Sequence, residues 1–100
     1  MIRHIVMWNF KEGFTEAENK ENAVKVRQEL EALTGCIGGI IELKVHINEL
    51  SYSNKDIMLD STFESEKALL AYQAHPEHQR AAAFVGTVVQ DRACFDYFVK

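Results

Sequence analysis

Proline is nearly absent from this chain of 100 residues, which holds one, and cysteine is scarce at two. No Pro- or Gly-rich linker, low-complexity tract or internal repeat interrupts it, so one domain is expected over residues 1–100. There is no charged leader running into an apolar core, and no apolar stretch approaches the roughly 20 residues that span a bilayer. The chain therefore reads as soluble and cytoplasmic. In that compartment Cys36 and Cys94, neither of them in a CxxC pair, are expected as free, buried thiols. Positive charge is also short: eleven Lys and Arg, scattered, stand against fifteen Asp and Glu, a net charge of -4. Nucleic acid and anionic membranes need a clustered basic footprint, and both are excluded as main partners. The Lys/Arg-Gly-Phe pattern of RNA-stacking sheets is missing as well.

What is present is a clean alternation of hydrophobic periods. Ile2 to Phe10 is apolar on both alternate sets, which predicts a strand covered on both faces. Thr15-Glu16-Ala17-Glu18 has the form of a capping box and starts a helix whose apolar stripe runs Ala23, Val26, Leu30, Leu33. Gly35 is placed to end it in a left-handed turn. A second strand follows with Ile41, Leu43, Val45 and Ile47 on one side, and a third with Ile57, Leu59, Ser61 and Phe63. Ser65 caps the next helix, which must break at His75 because Pro76 cannot continue it. Pro76 then opens a new helical segment to about Val89, and Arg92 to Val99 forms the last strand. The order βαββαβ is the ferredoxin-like α+β pattern: a four-stranded antiparallel sheet with its helices on one face. The other face is then bare, and the two-sided apolar first strand predicts a homodimer in which two sheets pack into a dimeric α/β barrel.

The chemistry concentrates in Tyr72-Gln73-Ala74-His75-Pro76-Glu77-His78 and in His4, a lone histidine in an apolar strand. Imidazole and phenol hold or pass protons near neutral pH, so proton transfer in a cavity is one reading. A structural reading stands beside it. His75 suits a cap for the helix opened by Pro76, His4 suits a satisfied core histidine, and Tyr72 suits ordinary helix-face packing. His46 falls on the polar side of its strand. A metal held by His4, His75 and His78 is a further alternative, weakened by the intervening proline and by the lack of a nearby Cys or carboxylate cluster.

The opening Ile2-Arg3-His4-Ile5-Val6-Met7-Trp8-Asn9-Phe10-Lys11, the Thr62-Phe63-Glu64-Ser65 turn, His75-Pro76-Glu77-His78 and the closing Phe95-Asp96-Tyr97 together resemble the stress-responsive dimeric α/β-barrel family over essentially the whole chain. The resemblance implies a dimer of ferredoxin-like units. It also implies a site, because the family's plant polyketide cyclase, olivetolic acid cyclase, uses a histidine base, a tyrosine and a supporting histidine that fall on His78, Tyr72 and His4 here. Such a base removes an acidic proton between two carbonyls while a phenol steadies the enolate oxygen, with no cofactor and no metal. The ligand is expected against Val6, Trp8, Val26, Ala81 and Phe84. Where the cyclase carries a tyrosine and phenylalanines, this chain has Asn22, Ala23, Val26 and Ala81, so the plant substrate is not transferred. Two functions of different class follow. One is a cofactor-free cyclase- or isomerase-like enzyme acting on a small carbonyl or phenolic compound; the other is a non-catalytic stress-response dimer that binds a small apolar ligand or is purely structural.

Overall fold

The computed structural model describes residues 1–100. Period-2 alternation becomes four strands: β1 (Ile2–Phe10), β2 (Ile40–Ile47), β3 (Ile57–Phe63) and β4 (Val89–Phe98). The helices are α1 (Glu16–Glu31), α2 (Glu66–Ala74) and α3 (Pro76–Val88). The sheet is antiparallel in the order β2-β3-β1-β4, the ferredoxin-like arrangement. No helix is long and apolar enough to cross a membrane.

Local chemistry sets the element ends. Thr15 accepts from the Glu18 amide while the Glu18 carboxylate accepts from the Thr15 amide, closing the capping box at the start of α1. Ser65 accepts from the Ala68 amide and starts α2. The helix-facing side of the sheet presents Ile2, Val6 and Trp8 of β1, Leu43 and Val45 of β2, and Ile57, Leu59 and Phe63 of β3. Val26 and Leu30 of α1, Leu69 and Tyr72 of α2, and Ala81, Val85 and Val88 of α3 close over them. Two polar side chains are buried in this layer, His4 and Ser61.

Four expectations are corrected. Gly35 does not take the left-handed conformation; α1 tightens instead into a 3-10 turn over Ala32–Gly35 that keeps Leu33 buried. The left-handed glycine is Gly39, φ 85°, whose Cβ would stand 2.7 Å from Ala68 Cβ of α2. Ile41 leaves the buried set because a register shift between Ile40 and Glu42 turns it outward, 49% exposed, while Ile40 packs on the core. The last strand starts at Val89, three residues early, since α3 runs into it without a loop. Cys36 and Cys94 are free, but both are exposed rather than buried.

The register also fixes the opposite face. Ile5 pairs with Phe95 and Met7 with both Met58 and Ala93, which lays an apolar band across three strands. Beside it the Arg3 guanidinium grips Asp60 through two bonds of 2.9 Å. Phe95 is 65% exposed on this face.

Candidate functional site

Tyr72 and His78 meet because of one proline. In an unbroken helix the Gln73 carbonyl would accept from the Glu77 amide. Pro76 breaks the path, the Glu77 amide turns to His75 Nδ1 at 3.1 Å, and His75 becomes the cap of α3. The freed Gln73 carbonyl lies 3.2 Å from His78 Nδ1. A carbonyl only accepts, so Nδ1 carries the proton and the basic lone pair is on Nε2. The His78 ring centroid sits 4.3 Å from that of Tyr72, which in turn is 4.8 Å from that of Phe63.

His4 arrives from the sheet. Its position opposite Asp96 on β4 brings Nδ1 to 2.5 Å from Asp96 Oδ1, and the carboxylate orients the ring as a carboxylate does in other His-dependent sites. A carboxylate only accepts, so Nδ1 carries the proton shared with Asp96. Ser61 Oγ donates to the His4 carbonyl at 2.7 Å and fixes the strand behind it. The Cys94 thiol donates to Asp96 Oδ1 at 3.5 Å; partial desolvation of this largely exposed side chain, together with Asp96, pushes the thiol up, so it stays protonated.

His4, Tyr72 and His78 line one cavity of about 240 Å³ between the sheet and the helices. Val6 and Trp8 are in its wall too, and Trp8 borders the space without filling it. Val26, Ala81 and Phe84 do not line it, which corrects those three expectations. Val26 and Ala81 are wholly packed in the core and Phe84 is half-buried beside it. On α3 the cavity-facing positions are Ala82, Val85 and Gly86, and on α1 it is Leu30, one turn beyond Val26. Gln73, Leu59, Val89 and Arg92 complete the wall.

Electrostatics separates the groups. Burial, reinforced by the charges of His4 and Arg92, lowers His78 below the ordinary histidine value of 6.5, against a raising effect of the Gln73 carbonyl. It is a neutral base at pH 7. Burial pushes the Tyr72 phenol up to about 12, so it remains a donor. Its hydroxyl is a buried side-chain polar atom with no hydrogen-bond partner, a state that costs about 1–3 kcal/mol.

A metal held by His4, His75 and His78 is not assembled, since His75 is engaged at the α3 cap. The one grouping of three donor side chains is His4, Cys94 and Asp96, all ligand atoms within 4.8 Å. Its Nδ1–Oδ1 separation of 2.5 Å is that of a hydrogen bond, whereas two tetrahedral zinc ligands stand about 3.3 Å apart. The arrangement fits a proton better than an ion. Gln73 and Asp96 fall inside motifs read from the sequence, but neither they nor Arg92 had a site role there. Asp96 and His4 are 92 residues apart in sequence, and only the β1–β4 register joins them.

Comparison with known families agrees with this fold. The profile of the stress responsive A/B barrel domain matches residues 2–99. The chain belongs to this family. Among solved structures, the stress-responsive barrel chain is similar to a dimeric ferredoxin-like protein of unknown function from Bacteroides fragilis (27% identity, TM-score 0.89, covering 96% of this chain and 93% of that one). It is also similar to a family protein from Mesorhizobium loti with a ferredoxin-like fold (22% identity, TM-score 0.72, 99% and 96% covered). A third similar fold is a hydroxynitrile lyase from Passiflora edulis (15% identity, TM-score 0.76, 99% and 93% covered). No curated protein matches the sequence.

Proposed function

We propose that this stress-responsive barrel protein is a cytoplasmic homodimer whose cavity transfers protons, without a cofactor, on a small carbonyl or phenolic compound. The observation that carries the reading is the unpartnered Tyr72 hydroxyl, set beside His78 in the wall of a cavity that His4 also lines. A ligand oxygen that accepted its proton would remove the desolvation penalty, and a developing enolate would gain more than a ground-state carbonyl. His78 Nε2 takes the proton from carbon, and the bonding pair moves onto the oxygen held by Tyr72. The proton then returns to another carbon, as in isomerisation, or the enolate carbon attacks a second carbonyl, whose π pair moves to its oxygen and takes the proton back from His78, as in aldol closure. His4, oriented by Asp96, lines the same cavity. A cavity of about 240 Å³ lies below the usual 300–1,000 Å³ of drug-sized sites, which keeps the substrate small. The hydroxynitrile lyase shows that a lyase is built on this fold, and the two free thiols suit a reducing compartment.

The dimer reading rests on the apolar band of Ile5, Met7, Met58 and Phe95 and on similar proteins being dimeric.

Hydrogen–deuterium exchange of a β-keto ester in D2O, followed by NMR, tests the chemistry. Exchange should exceed that of free imidazole and vanish in His78→Ala with the dimer intact. Binding without any exchange would instead support the non-catalytic dimer.

A further inference from the structure

The cavity wall holds one fully charged side chain, Arg92, and no carboxylate. In a chain of net charge -4 that is the reverse of the bulk balance. Arg92 also has no acidic partner: the arginine ion pairs of the protein belong to Arg3 and Arg80. The carboxylate two strand positions beyond Cys94, Asp96, is held by His4 and by the Cys94 thiol.

The backbone is shaped to put Arg92 there. Met7 pairs with Ala93 and Asn9 with Gln90, so Asp91 and Arg92 together oppose the single residue Trp8. This is a β-bulge, and Asp91 within it takes φ 56°, the left-handed region that a non-glycine residue enters at a cost. Lys55 Nζ holds the strained turn by donating to the Asp91 carbonyl at 2.8 Å, and Asn9 Nδ2 donates to Asp91 Oδ2 at 3.5 Å. Bulges of this kind occur beside binding sites, where they re-aim a side chain. Here the side chain next to the strained residue borders the cavity.

We infer that the cavity selects a small monoanionic ligand, a carboxylate with an apolar body, whose charged end pairs with Arg92 while the body lies between the sheet and α3. A guanidinium presents a planar fork that matches a carboxylate through two hydrogen bonds. Val85, Leu30 and Leu59 supply an apolar wall for the body. Arg92 also depresses His78, so an anion on Arg92 would raise His78 toward its ordinary value and strengthen it as a base. The inference rests on the cavity being the ligand site, as in the proposed function, and not on any chemistry there.

The test compares benzoate with its neutral isostere benzamide by calorimetry at fixed ionic strength, with the ring resonances of His4 and His78 followed by NMR. Benzoate should bind about tenfold or more tighter than benzamide, lose that margin in Arg92→Gln and recover part of it in Arg92→Lys. Both probes binding equally, with Arg92→Gln changing neither, would overturn the anion selectivity and leave the cavity reading standing. A benzoate preference that survives Arg92→Gln would overturn the assignment to Arg92. No shift of either histidine with either probe at tens of millimolar, roughly the weak end of useful affinity, would overturn this inference and the cavity reading together.

Discussion

Tyr72 carries a conflict between stability and use. Its hydroxyl is buried without a partner, so Tyr72→Phe should leave stability unchanged or raise it by about 1 kcal/mol while removing the donor that a ligand oxygen would use. Urea unfolding together with the exchange assay checks this, and a large loss of stability would show that the hydroxyl is satisfied after all. His78 makes a pH prediction. Its folded value is depressed, so the unfolded chain binds the proton more readily and the neutral ring's contribution is present above 6.5 and lost as pH falls through the lower folded value. The urea midpoint should drop on acidifying below 6.5, and His78→Gln should flatten that limb. The proton-transfer rate should follow the same lowered value. His4, Tyr72 and His78 were legible as residue types that hydrocarbon packing does not call for. Asp96 and Arg92 were not, because their relation to the cavity depends on strand register and a bulge, which local pattern does not encode.

At the level of elements, the signals that were read from the sequence are those whose cause is local. The capping box at Thr15, the Ser65 cap, the break at Pro76 and the alternation of β3 each depend on a few consecutive residues. The ones that failed depend on a partner. Gly35 looks like a helix stop, yet the left-handed residue is Gly39, chosen by the closeness of α2. Ile41 fits the strand alternation and is displaced by a bulge against β3. Gly39→Ala should therefore destabilise by at least about 2 kcal/mol, from left-handed strain of about 1–2 kcal/mol and the contact of 2.7 Å with Ala68 Cβ. Adding Ala68→Gly should return the contact part and leave the strain, a coupling that a double-mutant cycle measures. If the two substitutions were simply additive, the close approach would not be what selects glycine.

For the whole molecule, the decisive quantity is the apolar band on the sheet face turned away from the helices. Ile5, Met7, Met58, Ala93 and Phe95 lie together there only because β1 is central and pairs with both β3 and β4. A two-fold interface uses such a patch twice. Burying one phenylalanine side chain is worth about 1.5–3 kcal/mol, so Phe95→Glu removes about 3–6 kcal/mol from a symmetric dimer, before the cost of burying two carboxylates. That is a loss of roughly 10²–10⁴ in dimer affinity. Light scattering at micromolar concentration should give twice the chain mass for the native protein and a shift toward the single chain for Phe95→Glu. The cavity lies on the opposite side of the sheet, with His4 and Val6 facing it and Ile5 and Met7 facing away. If the two faces are independent, the Phe95→Glu monomer keeps its benzoate affinity. If affinity falls with the dimer, β4 carries the coupling, since Phe95 on one face and Asp96 on the other are consecutive residues of the same edge strand.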